Sequence, residues 1–190
     1  NGFTIDGDDS GTTDYGIYAS GRKNITIRNF ANITDFYDGI FLSSTNNSLI
    51  HNVTASSNNV LGPYNAGIRL DLSSNNNQLS NITASSNSGG GIIQLGSSSN
   101  NTLTGITASS NSQYGIYLSI SSNNILSNIT SNSNSQSGIY LDTSSNNTIN
   151  GFGVWNSSMV PGTYSGIYVF ESSNNSFISG YVNKSGDYGV

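Results

Sequence analysis

Apolar and polar residues alternate in short bursts along the whole chain. In "GIYLDTSSNNTI" (138–149), Ile139 and Leu141 flank Tyr140, and just beyond it Ile149 and Phe152 flank Asn150 and Gly151. A period of two marks a strand with one buried face. Clusters of Ser, Asn and Gly separate the bursts, and these are turn formers. No stretch carries a 3.6-residue apolar period, and Ala, Leu, Glu and Lys are scarce. The pattern predicts short β-strands joined by tight corners, without helices.

The bursts repeat. "GIYLSISSNNIL" stands at 115–126 and "GIYVFESSNNSF" at 166–177. The Gly that opens each "GI" falls at Gly16, Gly39, Gly67, Gly91, Gly115, Gly138, Gly166 and Gly189. A second marker, the small residue of "L-x-(N/G)-(I/V/F)", falls at Gly7, Asn29, Asn52, Asn81, Gly105, Asn128, Gly151 and Gly180. Both markers give a period near 23, with two insertions of about five residues. Gly16, Gly39 and Gly67 recur 99 residues later as Gly115, Gly138 and Gly166, so four coils form one duplicated unit. Internal periods of this length announce a solenoid. About three short strands per period, without hairpin signals, predict the coils of a parallel β-helix. The expectation is one all-β domain over 1–190, of about eight triangular coils, or a segment of a longer array. One coil buries four or five aliphatic side chains at about 1.5–3 kcal/mol each. Ordering its backbone costs roughly 1–2 kcal/mol per residue. Only a stack folds.

Stacking also accounts for the asparagines. Asn24, Asn47, Asn77, Asn101, Asn124, Asn147 and Asn175 mark one corner. Asn29, Asn52, Asn81 and Asn128 mark a second, and Asn58, Asn87, Asn111 and Asn134 a third. Asn tolerates the left-handed backbone of a sharp corner. Its amide also bonds to its equivalent one coil away, as in stacked ladders.

Composition then removes several functions. The chain holds 30 Asn, 37 Ser and 22 Gly, and its net charge is −5. Its five basic residues are scattered, so no nucleic-acid partner is expected. It has no Cys, which excludes disulfides, thiolate metal sites and a Cys nucleophile. No apolar run reaches the length of a membrane span. A Cys-free, Lys-poor, Ser/Asn-rich surface and a start without Met suit a trimmed, exported protein, extracellular or at the cell surface.

The signature "GIYL…SSNN…I/L-x-(N/G)-I-T", in six or seven of eight coils, and the opening "FTIDGD" resemble the right-handed parallel β-helix repeats of the NosD/CASH type. The resemblance covers nearly the whole chain and implies the right-handed hand of the coil. It leaves function open, because these coils serve pectin-cleaving enzymes, phage tailspikes, copper-delivery proteins and archaeal surface proteins alike. Enzymes of this architecture cluster Asp, Arg or Lys on one face. No matching set of catalytic motifs is found here, so a non-enzymatic role is expected. Copper delivery has little to draw on, with one His, one Met and no Cys.

Outward positions of successive coils become neighbours, which nominates sites. Asp6, Arg28 and His51 fall in one column before the second corner, an arrangement open to acid–base work or to a plain ion pair. Asp6, Asp8 and Asp9 of "DGDDSG" give closely spaced oxygens, a calcium candidate without the full calcium-loop pattern. No other cofactor is expected. Two residues after each Gly come Tyr18, Phe41, Arg69, Ile93, Tyr117, Tyr140 and Tyr168, an outward column. It serves as a structural ladder, a lateral packing stripe or a sugar-binding face. Trp155, Tyr64 and Tyr164 lie in or near the two insertions, where solenoids place binding loops. Eleven Asn sit in N-x-S/T sequons. Asn32, Asn156 and Asn183 are the expected glycan acceptors, since ladder residues such as Asn52, Asn81 and Asn128 are read as turned inward.

Two functions follow. The first is an extracellular structural or adhesive protein that self-associates head to tail or laterally, into filaments through coil stacking. The alternative is a secreted module that binds or cleaves polysaccharide.

Overall fold

A computed structural model describes residues 2–8, 14–59, 64–94, 96–157 and 165–183. The described residues contain strands and turns and no helix. The odd-numbered strands are β1 (Phe3–Asp6), β3 (Thr26–Thr34), β5 (Leu49–Thr54), β7 (Gln78–Thr83), β9 (Thr102–Thr107), β11 (Ile125–Asn132), β13 (Thr148–Trp155) and β15 (Ser176–Asn183). They form one parallel sheet in that order. The even-numbered strands are β2 (Tyr15–Ser20), β4 (Asp38–Ser43), β6 (Ala66–Asp71), β8 (Gly90–Gln94), β10 (Ile116–Ser119), β12 (Ile139–Asp142) and β14 (Ile167–Phe170). They form the second parallel sheet. The chain alternates between the two, which makes a parallel β-helix of about seven turns, one fewer than the spacing predicts.

The three expected sides are realised as two sheets, one of them creased. Asn29, Asn52, Asn81, Gly105, Asn128, Gly151 and Ser179 all have positive φ, between 52° and 67°. Each lies within an odd-numbered strand, and the sheet turns there over a ridge. A second corner, Asp35, Ser57, Ser86, Ser110, Ser133 and Asn156, is also left-handed. The third lies in the "SSNN" segments.

The core fills the space between the sides. Ile40, Ile68, Ile92, Ile116 and Ile139 stack in register along the even-numbered sheet and are fully buried. Ile50, Leu79, Leu103, Leu126 and Ile149 do the same opposite. The repeated Gly of "GI" has a spatial reason. A Cβ on Gly16 would stand 2.7 Å from the Gly39 carbonyl oxygen, and one on Gly91 2.7 Å from that of Gly115. Adjacent coils approach too closely there for any side chain.

The "NN" pair divides its labour, which the sequence reading merged. The corner position comes first, one residue before the ladder position: Asn24, Asn47, Asn76, Asn100, Asn123, Asn146 and Asn174 have φ of 55–60°. The second forms the buried ladder, where the backbone N–H of Asn77 donates to Asn101 Oδ1 at 2.8 Å, and so on through Asn124, Asn147 and Asn175. Asn24 and Asn47 are therefore corner residues, and Ser48 takes the ladder place beneath Asn77. The ladder of Asn58, Asn87, Asn111 and Asn134 is buried as expected, with side-chain bonds of 3.0–3.1 Å between neighbours.

Two register assignments need correction. Phe3 pairs with Phe30 and Asp6 with Thr34, so Gly7 lies at the Asp35 corner and not beside Asn29. Ser179 holds the last ridge, and Gly180 is an inward position across from Phe152. The Phe152 ring occupies the space that a Gly180 side chain would fill.

Two stability predictions follow from this geometry. Asn111→Ala removes a buried acceptor from the Asn87 N–H and side-chain amide, and two donated bonds. Urea unfolding is expected to show a loss of about 3 kcal/mol; a loss within error of zero would contradict a structural ladder. Ile120 is 55% exposed and left-handed (φ 51°), a poor place for a β-branched residue. Ile120→Asn should raise stability by about 1 kcal/mol in the same assay.

Candidate functional site: the outer face of the even-numbered sheet

Tyr18, Phe41, Arg69, Ile93, Tyr117, Tyr140 and Tyr168 occupy one outward column in the predicted register. The rings touch along the axis. Tyr18–Phe41 centroids lie 5.3 Å apart, Tyr117–Tyr140 4.9 Å and Tyr140–Tyr168 5.0 Å, the last two pairs stacked. Tyr15 and Tyr114, three residues before Tyr18 and Tyr117, lean in at 5.3 and 4.9 Å.

The column points outward but is not a free stripe. Tyr18 is 54% exposed, whereas Phe41, Arg69 and Tyr117 are below a tenth and Ile93 is fully buried. Ala66, Ile93 and Tyr117, with Tyr114 and Tyr140 against them, make a small second core outside the sheet. The stacked rings spend their faces on one another and turn their edges outward. The Tyr117 hydroxyl donates to Asp142 Oδ2 at 3.0 Å. Its pKa is pushed up to about 12, by burial first and also by that carboxylate.

Between the two ring groups sits an ion pair that the sequence reading did not single out. Arg69 Nη2 stands 2.8 Å from Asp38 Oδ2, and Asp38 is fully buried. The Ala66 N–H donates to Asp38 Oδ1 at 2.8 Å, tying β4 to β6. The Arg69 guanidinium lies 3.9 Å from the Phe41 ring centroid and 5.8 Å from that of Tyr37. Arg69 Nε is buried without a hydrogen-bond acceptor. The missed signal was available: a 28-residue coil sets Asp38 opposite Ala66, and Arg69 lies on the same outer face three residues beyond.

The other nominated residues scatter. Arg28 and His51 are neighbours as predicted, and His51 Nδ1 lies 2.9 Å from Ser80 Oγ. Asp6 does not join them, because it pairs with Thr34 beyond the ridge; the Asp6–Arg28–His51 column is not formed. Asp6 and Asp8 are exposed, and Asp9 lies outside the described residues. Among the described residues no three His, Asp or Glu side chains are grouped as a metal site. Tyr64 is 52% exposed, and its backbone is left-handed (φ 64°). Trp155 sits instead on the odd-numbered sheet, stacked on Tyr181. Tyr164 lies outside the described residues. Of the sequon residues, Asn156 and Asn183 are exposed, and Asn32 is half-buried in β3. Asn52, Asn81 and Asn128 are exposed as well, contrary to the expectation that they turn inward, because the ridge points their side chains away from the core.

Asp38 titrates near neutrality. Burial pushes its pKa up to about 7, against the pull of Arg69 and the Ala66 N–H. The native state thus holds this proton more tightly than the unfolded chain, where the value is near 3.8. The contribution of Asp38 to stability is full below about pH 4 and is lost as pH rises through about 7. The thermal midpoint should therefore fall between about pH 5 and pH 8. Asp38→Asn should flatten that slope, and an unchanged slope in the variant would refute the assignment.

Comparison with known proteins gives the following. No curated protein matches the chain. Among solved structures, the periplasmic alginate epimerase AlgG matches with a TM-score of 0.69 and 14% identity, over 86% of this chain and 47% of that one. The A-module of the Azotobacter vinelandii mannuronan C-5 epimerase AlgE6 matches with a TM-score of 0.69 and 16% identity, over 87% and 54%. The AlgE4 A-module from the same organism gives 0.64 and 18%, over 85% and 54%. The chain spans about half the length of these structures, and at such identities they share its fold.

A family model described as "periplasmic copper-binding protein (NosD)" matches residues 1–152 and 93–190. The periplasm lies outside the cytoplasm, in coarse agreement with an exported protein. Copper favours thiolate, thioether and imidazole ligands. This chain offers no Cys, one Met and one His, so its residues do not fit a copper site. Matched from its first residue to its last, the chain belongs to the NosD family.

Proposed function

We propose that this chain is part of an extracytoplasmic adhesive scaffold, a stiff β-solenoid whose outer face contacts polysaccharide. The observation that carries this reading is an internal comparison. Tyr15, Tyr18 and Phe41 recur 99 residues later as Tyr114, Tyr117 and Tyr140, with matching ring contacts. Asp38 and Arg69 recur as Ser137 and Tyr168. The same buried Ile columns and amide ladders run through both halves. The scaffold thus stands without the ion pair, whose burial carries a desolvation penalty. The pair itself is closed off from solvent, so contact with a ligand falls to the rings beside it. Phenol rings present an apolar body and a hydroxyl tip, suited to the CH and OH groups of sugars. Tyr18, Tyr64, Tyr140 and Tyr168 remain at least partly accessible. The family's periplasmic description and the fold shared with alginate and mannuronan epimerases support the same reading.

Self-association is a second reading, favoured by the translational repeat of the ladders. A coil of another copy meets the same donors and acceptors as a coil of the same chain. Electron microscopy of the native, untrimmed protein checks it. Fibres with an axial repeat near ~4.8 Å are expected, and isolated short rods would remove it.

The main reading is tested by co-sedimentation of the native protein with insoluble polysaccharides, and by calorimetry with soluble ones. Saturable binding to at least one class is expected. Failure across neutral, uronate and amino-sugar polymers would end it.

A further inference from the structure

The outer face of the odd-numbered sheet, beyond its ridge, repeats one pattern for four coils. Thr54, Thr83, Thr107 and Thr130 form one outward column. Ser56, Ser85, Ser109 and Asn132 form the next, where the Ser hydroxyls accept N–H bonds from the coil above. At β13 both columns break together. Gly153 replaces Thr, and Trp155 replaces Ser or Asn. On β15 Tyr181 follows Gly153, and Asn183 follows Trp155.

The two breaks fit each other. A Cβ on Gly153 would stand 2.8 Å from Trp155 Cζ3 and 2.8 Å from Tyr181 Oη. Both rings therefore fold over a strand left bare by the glycine. Their planes differ by 17° and their centroids lie 5.8 Å apart. Tyr181 is 58% exposed and Trp155 half-buried. Four coils show that Thr and Ser satisfy this face, so the architecture does not call for the rings. Large, rigid, amphipathic rings contribute contact area at low conformational cost.

We infer that Trp155 and Tyr181, laid over Gly153, form a binding platform for an uncharged segment of a polysaccharide. This rests on the polysaccharide-contacting reading and moves the contact to a different sheet from the tyrosine column. The ring faces match the CH face of a pyranose. The residues in register around them, Thr130, Asn132 and Asn183, carry hydroxyl and amide groups suited to sugar hydroxyls. None of these three is charged, and the net charge of −5 disfavours a polyanion.

Trp155 is the only tryptophan, so its emission reports this site alone. The native protein is titrated with hexasaccharides of glucose and of galactose, and with an oligouronate of the same length, under parallel calorimetry. A saturable shift in emission and protection from acrylamide quenching by a neutral sugar are expected. Gly153→Thr restores the four-coil pattern, keeps both rings and displaces them. It should weaken binding at least ~10-fold with the thermal midpoint retained, and Tyr181→Ala should act likewise. Calorimetric binding without any change in emission would overturn the platform and leave the broader reading standing. Binding by neither method, to these sugars and to the polymers above, would overturn both. Equal binding of the oligouronate at Trp155 would overturn the uncharged class.

Discussion

The fold depends on a repeated condition: along each buried ladder, an amide must meet its equivalent on the next coil. Asn58, Asn87, Asn111 and Asn134 satisfy it on one side of the triangle, and Asn77, Asn101, Asn124, Asn147 and Asn175 on another. A buried carboxamide without partners is costly, so one coil out of step exposes two neighbours to that penalty. The condition explains where the chain tolerates extra residues. Both long coils carry their insertion between the corner that precedes an even-numbered strand and that strand itself. The ladder at the "SSNN" corner bridges both insertions without a gap, from Ser48 to Asn77 and from Asn147 to Asn175.

The same condition frees the outside. Once core and inner ladders are closed by Ile, Leu, Asn and Ser, the outward columns are bound only by packing and by the Ser and Asn bonds between coils. They hold the variation: rings and an ion pair on one sheet, Thr and Ser on the other, then an abrupt change at Gly153 and Trp155. The Asp38–Arg69 pair lies between these categories. It ties β4 to β6 through Ala66, yet the second half of the chain does without it.

The sequence was most legible where a residue type repeats for one physical reason. The "GI" glycines, the inward Ile and Leu, and the column from Tyr18 to Tyr168 follow from period and alternation. Arg69 and Ile93 fell in the right column even without an aromatic ring. Adjacent identical residues were harder. In "NN", one Asn needs a left-handed backbone and the other a buried amide, and composition does not say which. Gly180 misled because a glycine suits a ridge, while here it makes room for Phe152. Asp6 misled because the first strand enters the stack past the ridge, and counting from Gly7 hides that. Burial of the aromatic column was illegible for another reason. It comes with partners outside the column, such as Tyr114 packed against Tyr117 and Tyr140. The platform at Trp155 required knowing that Gly153 and Tyr181 are in register across a 28-residue coil.

The ladders also have a sense. In the buried ones, N–H groups of a lower coil donate to Oδ1 of the coil above, as Asn87 does to Asn111. In the outer ones the direction reverses, as when the Ser109 N–H donates to Ser85 Oγ below. Each coil therefore offers inner donors and outer acceptors on one face, and inner acceptors and outer donors on the other. Two like faces brought together by a two-fold axis would set donor against donor and acceptor against acceptor. Any end-on contact made through these ladders is head to tail, a polar and non-dyadic assembly without a closed symmetric dimer.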